Sequence, residues 1–135
     1  MANDFNQSII DEFRAHGGRV GGPFEGGRLL LLTTTGRRTG TRYTTPVAPV
    51  TGPDGRTYLI GSAGGSPRHP DWYLNILADP EVTVEDGDRT YQAHATVLTG
   101  AERDRIFDAA AAENPGWAKY QAGVARILPV VALSA

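Results

Sequence analysis

This 135-residue chain predicts a single α+β domain built on an antiparallel or mixed barrel, and three observations lead there. The apolar run Leu29-Leu30-Leu31-Leu32 has the unbroken character of a strand buried on both faces. Two pairs of strand-like stretches flank strong turn chemistry, Gly52-Pro53-Asp54-Gly55 and Asp86-Gly87-Asp88. Helix start signals fall between these hairpins rather than after every strand, which is the α+β pattern.

Taken in order, residues 5 to 14 place Phe5, Ile9, Ile10 and Phe13 on one face of a helix. The glycine-dense stretch from Gly17 through Gly27 cannot be regular structure and reads as a strap leading to the first strand. That strand empties into Thr33-Thr34-Thr35-Gly36-Arg37-Arg38-Thr39-Gly40, read as a hydroxyl-rich turn carrying adjacent guanidinium groups. Such a turn is either a solvated basic loop or an anion clamp. A second strand covers Tyr43 to Val50, confined to an edge or to bulges by Pro46 and Pro49. The third returns over Arg56 to Ser62, and a short helix begins at Pro70 and runs to Ala78. Glu81 to Glu85 and Arg89 to Leu98 make a hairpin, with Tyr91, Ala93, Ala95 and Val97 on one face. Thr99 and Glu102 form a capping-box pattern for a helix to about Ala112. Asn114-Pro115 opens another to about Gln121, and Ile127 to Leu133 closes the chain as an apolar strand. Five or six strands result.

Composition excludes several classes. A hydrophobic fraction of 40% with 21% charged residues is that of a folded globular chain, so disorder is not expected. The formal charge of −2 speaks against a nucleic-acid binder, whose footprint is a strongly basic face. Cysteine is absent, which removes disulfides, thiolate metal sites and cysteine nucleophiles. The first residues show no targeting segment, and no apolar run is long enough to cross a bilayer. The expected setting is the cytoplasm, with at most a peripheral membrane association through the first helix.

Familiar catalytic motifs are missing. His16, His69 and His94 have no metal-binding spacing, and no GxSxG elbow, Walker loop or Rossmann fingerprint occurs. His94 reads as a surface strand residue, whereas His69 faces either a pocket or solvent. Chemistry without an acid, base or nucleophile cluster points to a bound cofactor. Three segments could share one barrel rim: Arg37 to Pro46, Gly61 to Gly65 and Pro70 to Asn75. They offer guanidinium groups, small residues open to a ligand, and Trp72 and Tyr73 at a positive helix N-terminus. Together they suit a flat ring with an anionic tail, although Trp72 alone reads better as a core aromatic.

At these residues the chain resembles a known family. Phe5 through Arg14, Gly17 through Phe24, Leu29 through Gly40, Tyr43 through Pro46, Gly64-Gly65, His69 through Asn75 and Tyr120-Gln121 are similar, in order and spacing, to the deazaflavin-dependent nitroreductases. The resemblance spans essentially the whole chain, residues 1–135 as one domain. It implies a split β-barrel of the FMN-binding kind, six-stranded with peripheral helices, and coenzyme F420 with its phosphate and oligoglutamate tail. It also implies hydride delivery to a quinone, a nitro compound or another activated acceptor, in the manner of actinobacterial F420 reductases. Alternatives are an FMN-dependent relative of the same barrel and a non-catalytic F420 carrier.

By the same resemblance Arg37, Arg38 and Thr39 are the phosphate and tail clamp. Arg42, Tyr43, Thr44, Thr45 and Pro46 form the next contacting turn, and Ile60, Gly61, Ser62 and Ala63 bring backbone under the ring. Asp71, Trp72, Tyr73, Leu74 and Asn75 close the phosphate side. Tyr120 is the candidate catalytic residue, hydrogen-bonding or protonating the acceptor, and Trp117 shapes the pocket wall with it. No metal is implied. Three departures stand out: Tyr43 replaces an arginine common in relatives, Ala63 replaces a lysine found in some, and only Tyr120 remains of several tyrosines on the late helix. These departures bear on nitro reduction more than on coenzyme binding.

Overall fold

The computed structural model of the protein describes residues 4–20 and 29–135. Its elements are α1 (Asp4–Ala15), β1 (Leu30–Thr35), β2 (Arg42–Val47), β3 (Val50–Thr51), β4 (Thr57–Ile60), a 3-10 turn (Ala63–Gly65), α2 (Asp71–Ala78), β5 (Glu81–Asp86), β6 (Arg89–Val97), α3 (Gly100–Glu113), α4 (Gly116–Ala122) and β7 (Val130–Ser134). The strands form one sheet in the order β2-β1-β5-β6-β7-β4-β3, and each ladder is antiparallel.

The closure of this sheet is evident from chain length. β2 and β3 are its opposite edges, yet only Ala48 and Pro49 lie between them. A flat sheet of this width would hold its edges roughly 29 Å apart. The link from Val47 to Val50 reaches about 11 Å at most. The sheet therefore curls until its edges meet along an unpaired seam, which makes it a split barrel. The predicted strand Tyr43 to Val50 is broken at this seam into β2 and β3, so the described residues hold seven strands rather than five or six. Pro49 cannot donate to a ladder, and both pieces lie on edges, where proline is tolerated.

Which residues fill the barrel follows from strand alternation. Leu30, Leu32, Leu59, Val82, Val84, Ala93, Ala95, Val131 and Leu133 pack inside, joined by Trp72 and Ile76 of α2. Outside, Ile9, Ile10 and Phe13 of α1 cover Leu29 and Leu31. On another outer face, Ile106, Phe107 and Ala110 of α3 cover Tyr58, Ile60, Val130 and Ala132. Strands β1, β4 and β7 are thus apolar on both faces, which accounts for the leucine run. β5 and β6 are buried on one face only and alternate.

Several expected boundaries shift for identifiable reasons. Thr33, Thr34 and Thr35 belong to β1 rather than to a turn, as suits β-branched residues whose hydroxyls find partners on β2 and on α2. The turn itself is Gly36 to Thr41, closed by Gly36 N–H to the Thr41 carbonyl at 2.7 Å. β4 stops at Ile60, and β7 starts at Val130, just after Pro129. Thr99 is the N-cap of α3, but its side chain makes no capping bond, so the expected box with Glu102 does not form. At α4 the start signal operates as expected, Asn114 Oδ1 accepting from Gly116 N–H at 3.0 Å.

The strap read from Gly17 onward lies outside the described residues for Gly21-Gly22-Pro23-Phe24-Glu25-Gly26-Gly27. Its first residues end α1 and anchor it. Arg14 donates twice to the Glu85 carboxylate, at 2.9 and 2.8 Å, and Gly18 lies directly against Gly87 in the β5–β6 turn. A side chain at Gly18, where φ is +99°, would place Cβ 2.7 Å from Gly87 Cα. Gly55 has φ +79° but open space around it. Gly55→Ala should therefore cost only the left-handed strain, about 1–2 kcal/mol. Gly18→Ala should cost visibly more, read as a larger drop in the urea midpoint.

Candidate active site

Two buried polar residues break the apolar interior among the described residues, Thr34 on β1 and Asn75 on α2. Asn75 Nδ2 donates to Thr34 Oγ1 at 3.1 Å, and its Oδ1 accepts from Arg37 N–H at 3.2 Å and Arg37 Nη1 at 2.9 Å. Arg37 Nη2 reaches on to Asp71 Oδ1 at 3.4 Å. One amide therefore ties the end of β1, the β1–β2 turn and the first turns of α2 together. Two of the three predicted segments meet here.

The adjacent arginines are not equivalent. Arg37 is committed to α2, whereas Arg38 is exposed and bonds to nothing among the described residues. Thr39 closes its own turn, donating to Thr41 Oγ1 at 2.9 Å and accepting from Thr41 N–H at 3.3 Å.

Register divides the predicted stretch Arg42 to Pro46 between two faces. Directly opposed residues of an antiparallel pair share a face. Tyr43 lies opposite Thr34 and Thr45 opposite Leu32, on the interior side. Arg42, Thr44 and Pro46 lie opposite Thr35, Thr33 and Leu31, on the outside. Arg42 there spans two strands, donating to Thr35 Oγ1 and Thr83 Oγ1, both at 2.8 Å. The structure does not bring Arg42, Thr44 or Pro46 to the Asn75 face.

The second segment is held from behind by a residue that the motifs did not single out. Arg126, between α4 and β7, donates through Nε to the Ser66 carbonyl at 3.1 Å. Its Nη1 reaches the Gly61 carbonyl at 3.0 Å and His69 Nδ1 at 3.1 Å. Its Nη2 reaches the Ser62 and Ser66 carbonyls at 2.9 and 3.0 Å. All five guanidinium N–H groups are used. The turn they grip contains Ala63 at φ +49°, a left-handed conformation that costs a non-glycine residue about 1–2 kcal/mol. Gly61 is needed there for packing, since a Cβ would lie 2.7 Å from Pro129 Cγ and 3.4 Å from Pro70 Cγ. Ile60 turns its side chain under α3 instead.

His69 joins this loop to α2, its ring 4.9 Å from that of Tyr73. Burial first, and then the Arg126 charge, hold its imidazole below the ordinary value of 6.5. With Nδ1 accepting from Arg126, the neutral ring carries its proton on Nε2. Because the folded value is depressed, the stability His69 contributes is present above about pH 6.5 and fades on acidification.

Trp72 packs in the barrel core, as its aromatic bulk suggested, and Tyr73 packs partly against the same cluster. On α4, Trp117 leans on the α3 cluster, while Tyr120 is 40% exposed and lies over Gly65. A Cβ on Gly65 would come within 3.0 Å of the Tyr120 ring. Gln121 anchors this helix: its Oε1 accepts from Arg103 Nη2 and Leu128 N–H, and its Nε2 donates to the Arg126 carbonyl. The visible signal for Arg126 was an isolated charge inside the apolar stretch Val124 to Val131, with no acid beside it.

The comparisons with known proteins agree with one another. A family model described as F420H(2)-dependent quinone reductase matches residues 7–135. F420H(2)-dependent quinone reductase Rv1261c of Mycobacterium tuberculosis (strain ATCC 25618 / H37Rv) is 34% identical over 127 residues, covering 90% of this chain and 84% of the relative. The solved structure of an F420-H2 dependent reductase (FDR-A) aligns with a TM-score of 0.68 at 34% identity, covering 78% of this chain and 93% of that one. A structure described as a domain-swapped dimer aligns with a TM-score of 0.71 at 32% identity, over 95% and 96% of the two chains.

The Asn75 knot is directly testable. Asn75→Ala leaves Thr34 and Arg37 without their buried partner and should cost about 1–3 kcal/mol in urea unfolding. Asn75→Asp keeps the acceptor for Arg37 and allows the Thr34 hydroxyl to donate, so its loss should be smaller.

Proposed function

This chain belongs to the F420H(2)-dependent quinone reductase family, and on that premise we propose how its residues hold coenzyme F420 and present a quinone-type acceptor to it. Bound in its reduced form, the coenzyme supplies hydride. The protein supplies orientation, charge complementarity and a hydrogen bond to the acceptor.

The donor set suits a flat ring with an anionic tail. Among the described residues Arg38 is an unspent cation, the Ala63 N–H has no acceptor, and Ser62 keeps a free hydroxyl. The carboxylate of Asp71 is already paired with Arg37. The free cation at Arg38 is the observation that carries this reading. Arg38 binds the phosphate and tail, while Arg37, Asn75 and Asp71 set the turn from which it projects. Tyr43 and Thr45 line the interior side of β2, and the N-terminal turn of α2, with Trp72, Tyr73 and Leu74, closes the site beyond. Gly61, Ser62 and Ala63 bring peptide groups to the ring. Arg42, Thr44 and Pro46 support β2 from outside, as Thr39 supports its turn.

Tyr120 donates its phenol hydrogen bond to the acceptor oxygen, with Trp117 behind it, their rings 6.2 Å apart and near edge-on. No helix among the described residues is long and apolar enough to cross a membrane. An apolar quinone dissolves in lipid, so a cytoplasmic enzyme of this kind would meet it at the inner membrane face.

Fluorescence titration should show F420 binding that weakens as salt rises, because exposed charge pairs are screened. Arg38→Ala should weaken that binding by about 1–3 kcal/mol, roughly 5- to 150-fold, with stability unchanged. An unchanged affinity would move the clamp elsewhere. With reduced coenzyme and a menadione-type quinone, Tyr120→Phe should lower kcat while leaving the coenzyme Kd alone; the reverse outcome would make Tyr120 a wall residue.

A further inference from the structure

Arg126 is unusual among the cations of this chain in what surrounds it. Its five donors go to the carbonyl oxygens of Gly61, Ser62 and Ser66 and to one imidazole nitrogen, and none goes to a carboxylate. A guanidinium with four of its five donors on backbone oxygens fixes the direction of those peptides, and therefore of the N–H groups that follow them. Behind Ser62 this leaves the Ala63 N–H without an acceptor among the described residues, in a residue held at positive φ. At His69 it consumes Nδ1 and leaves Nε2–H without a partner among the described residues.

We propose that Arg126 is the positioning residue of the coenzyme ring site: it holds the 61–66 turn and the His69 imidazole so that Ala63 N–H and His69 Nε2–H are paired donors for the carbonyl edge of the deazaflavin. The inference rests on the F420 reading above and assigns to that site two residues outside its Gly61–Ala63 and Asp71–Asn75 strings. The interaction is charge-assisted only behind the loop. Toward the ligand it presents two neutral donors, which match carbonyl acceptors rather than the phosphate. Among the described residues no acid pairs with Arg126, so its charge stays on the 61–66 turn and is not tied up in an ion pair. Gln121 extends the device, since its amide holds the Arg126 carbonyl at 2.8 Å and the Leu128 N–H at 2.9 Å. Helix α4, carrying Tyr120, and the turn beneath the ring are thereby registered to each other.

The test has one arm without coenzyme and one with it. In the coenzyme-free protein, nitrogen-15 NMR of the imidazoles, with His69→Gln used to assign the signal, should show His69 as the neutral Nε2–H tautomer at neutral pH. An Nδ1–H tautomer or a freely exchanging ring overturns the proposal without any coenzyme. Arg126→Lys keeps the charge but cannot span the same acceptors. It should lose the His69 tautomer signature and weaken F420 binding on the order of tenfold, with the quinone KM little changed. His69→Gln should weaken F420 binding in the same direction by less. If wild-type protein binds no F420, the parent reading of the site fails. If it binds and a folded Arg126→Lys matches it in tautomer and affinity, the positioning role alone fails.

Discussion

A primary amide inside a hydrocarbon barrel is the constraint around which this molecule is arranged. Burying Asn75 without partners would cost several kcal/mol, so the fold has to bring it both an acceptor and donors. The acceptor is Thr34, the last interior residue of β1. The donors are the backbone and side chain of Arg37, just beyond the strand end. Satisfying one buried side chain thus fixes where β1 stops, how its turn leaves the barrel and how α2 is seated. Hydrophobic packing alone would leave α2 free to rotate or slide, because leucine and valine surfaces tolerate many registers.

A second anchor works by the opposite logic. Arg126 carries its charge into partial burial and surrounds it with carbonyl oxygens rather than a carboxylate. Such an arrangement stiffens backbone where an ion pair would stiffen only two side chains. Between the two anchors lie His69, Pro70 and the first turn of α2, so a displacement of either is felt by the other. The strained Ala63 is held in place by this support, as left-handed residues at functional turns generally are.

The sequence made the local features legible and hid those that depend on register. The hairpin Glu81 to Leu98, the Gly52–Gly55 turn, the first helix and the doubly buried leucine strand could be read because period and turn chemistry are short-range signals. The meeting of three chain segments was also legible in outline, since Arg37 reaches Asn75 and a Cβ on Gly61 would meet Pro70. What could not be read was which neighbours in sequence are neighbours in space. Arg42 and Tyr43 are adjacent, yet a pleated strand sends them to opposite faces. Arg37 and Arg38 look alike, yet only one has Asn75 within reach. Arg126 lies some sixty residues beyond the carbonyls it holds, and no local pattern carries that information. The threonines of β1 misled for a related reason, as hydroxyls suggest a turn until cross-strand partners are known.

The seam at Ala48 and Pro49 has an implication for how such barrels diversify. No ladder bond crosses it, and its two residues serve only to hand the chain from one sheet edge to the other. Lengthening a connection of that kind costs little, about 0.6 kcal/mol for each doubling, because only loop entropy is at stake. Insertions there leave both the Asn75 and the Arg126 anchors untouched. The seam is therefore a place where descendants of this scaffold could acquire a flap, a second strand or a partner's arm while inheriting an unaltered interior.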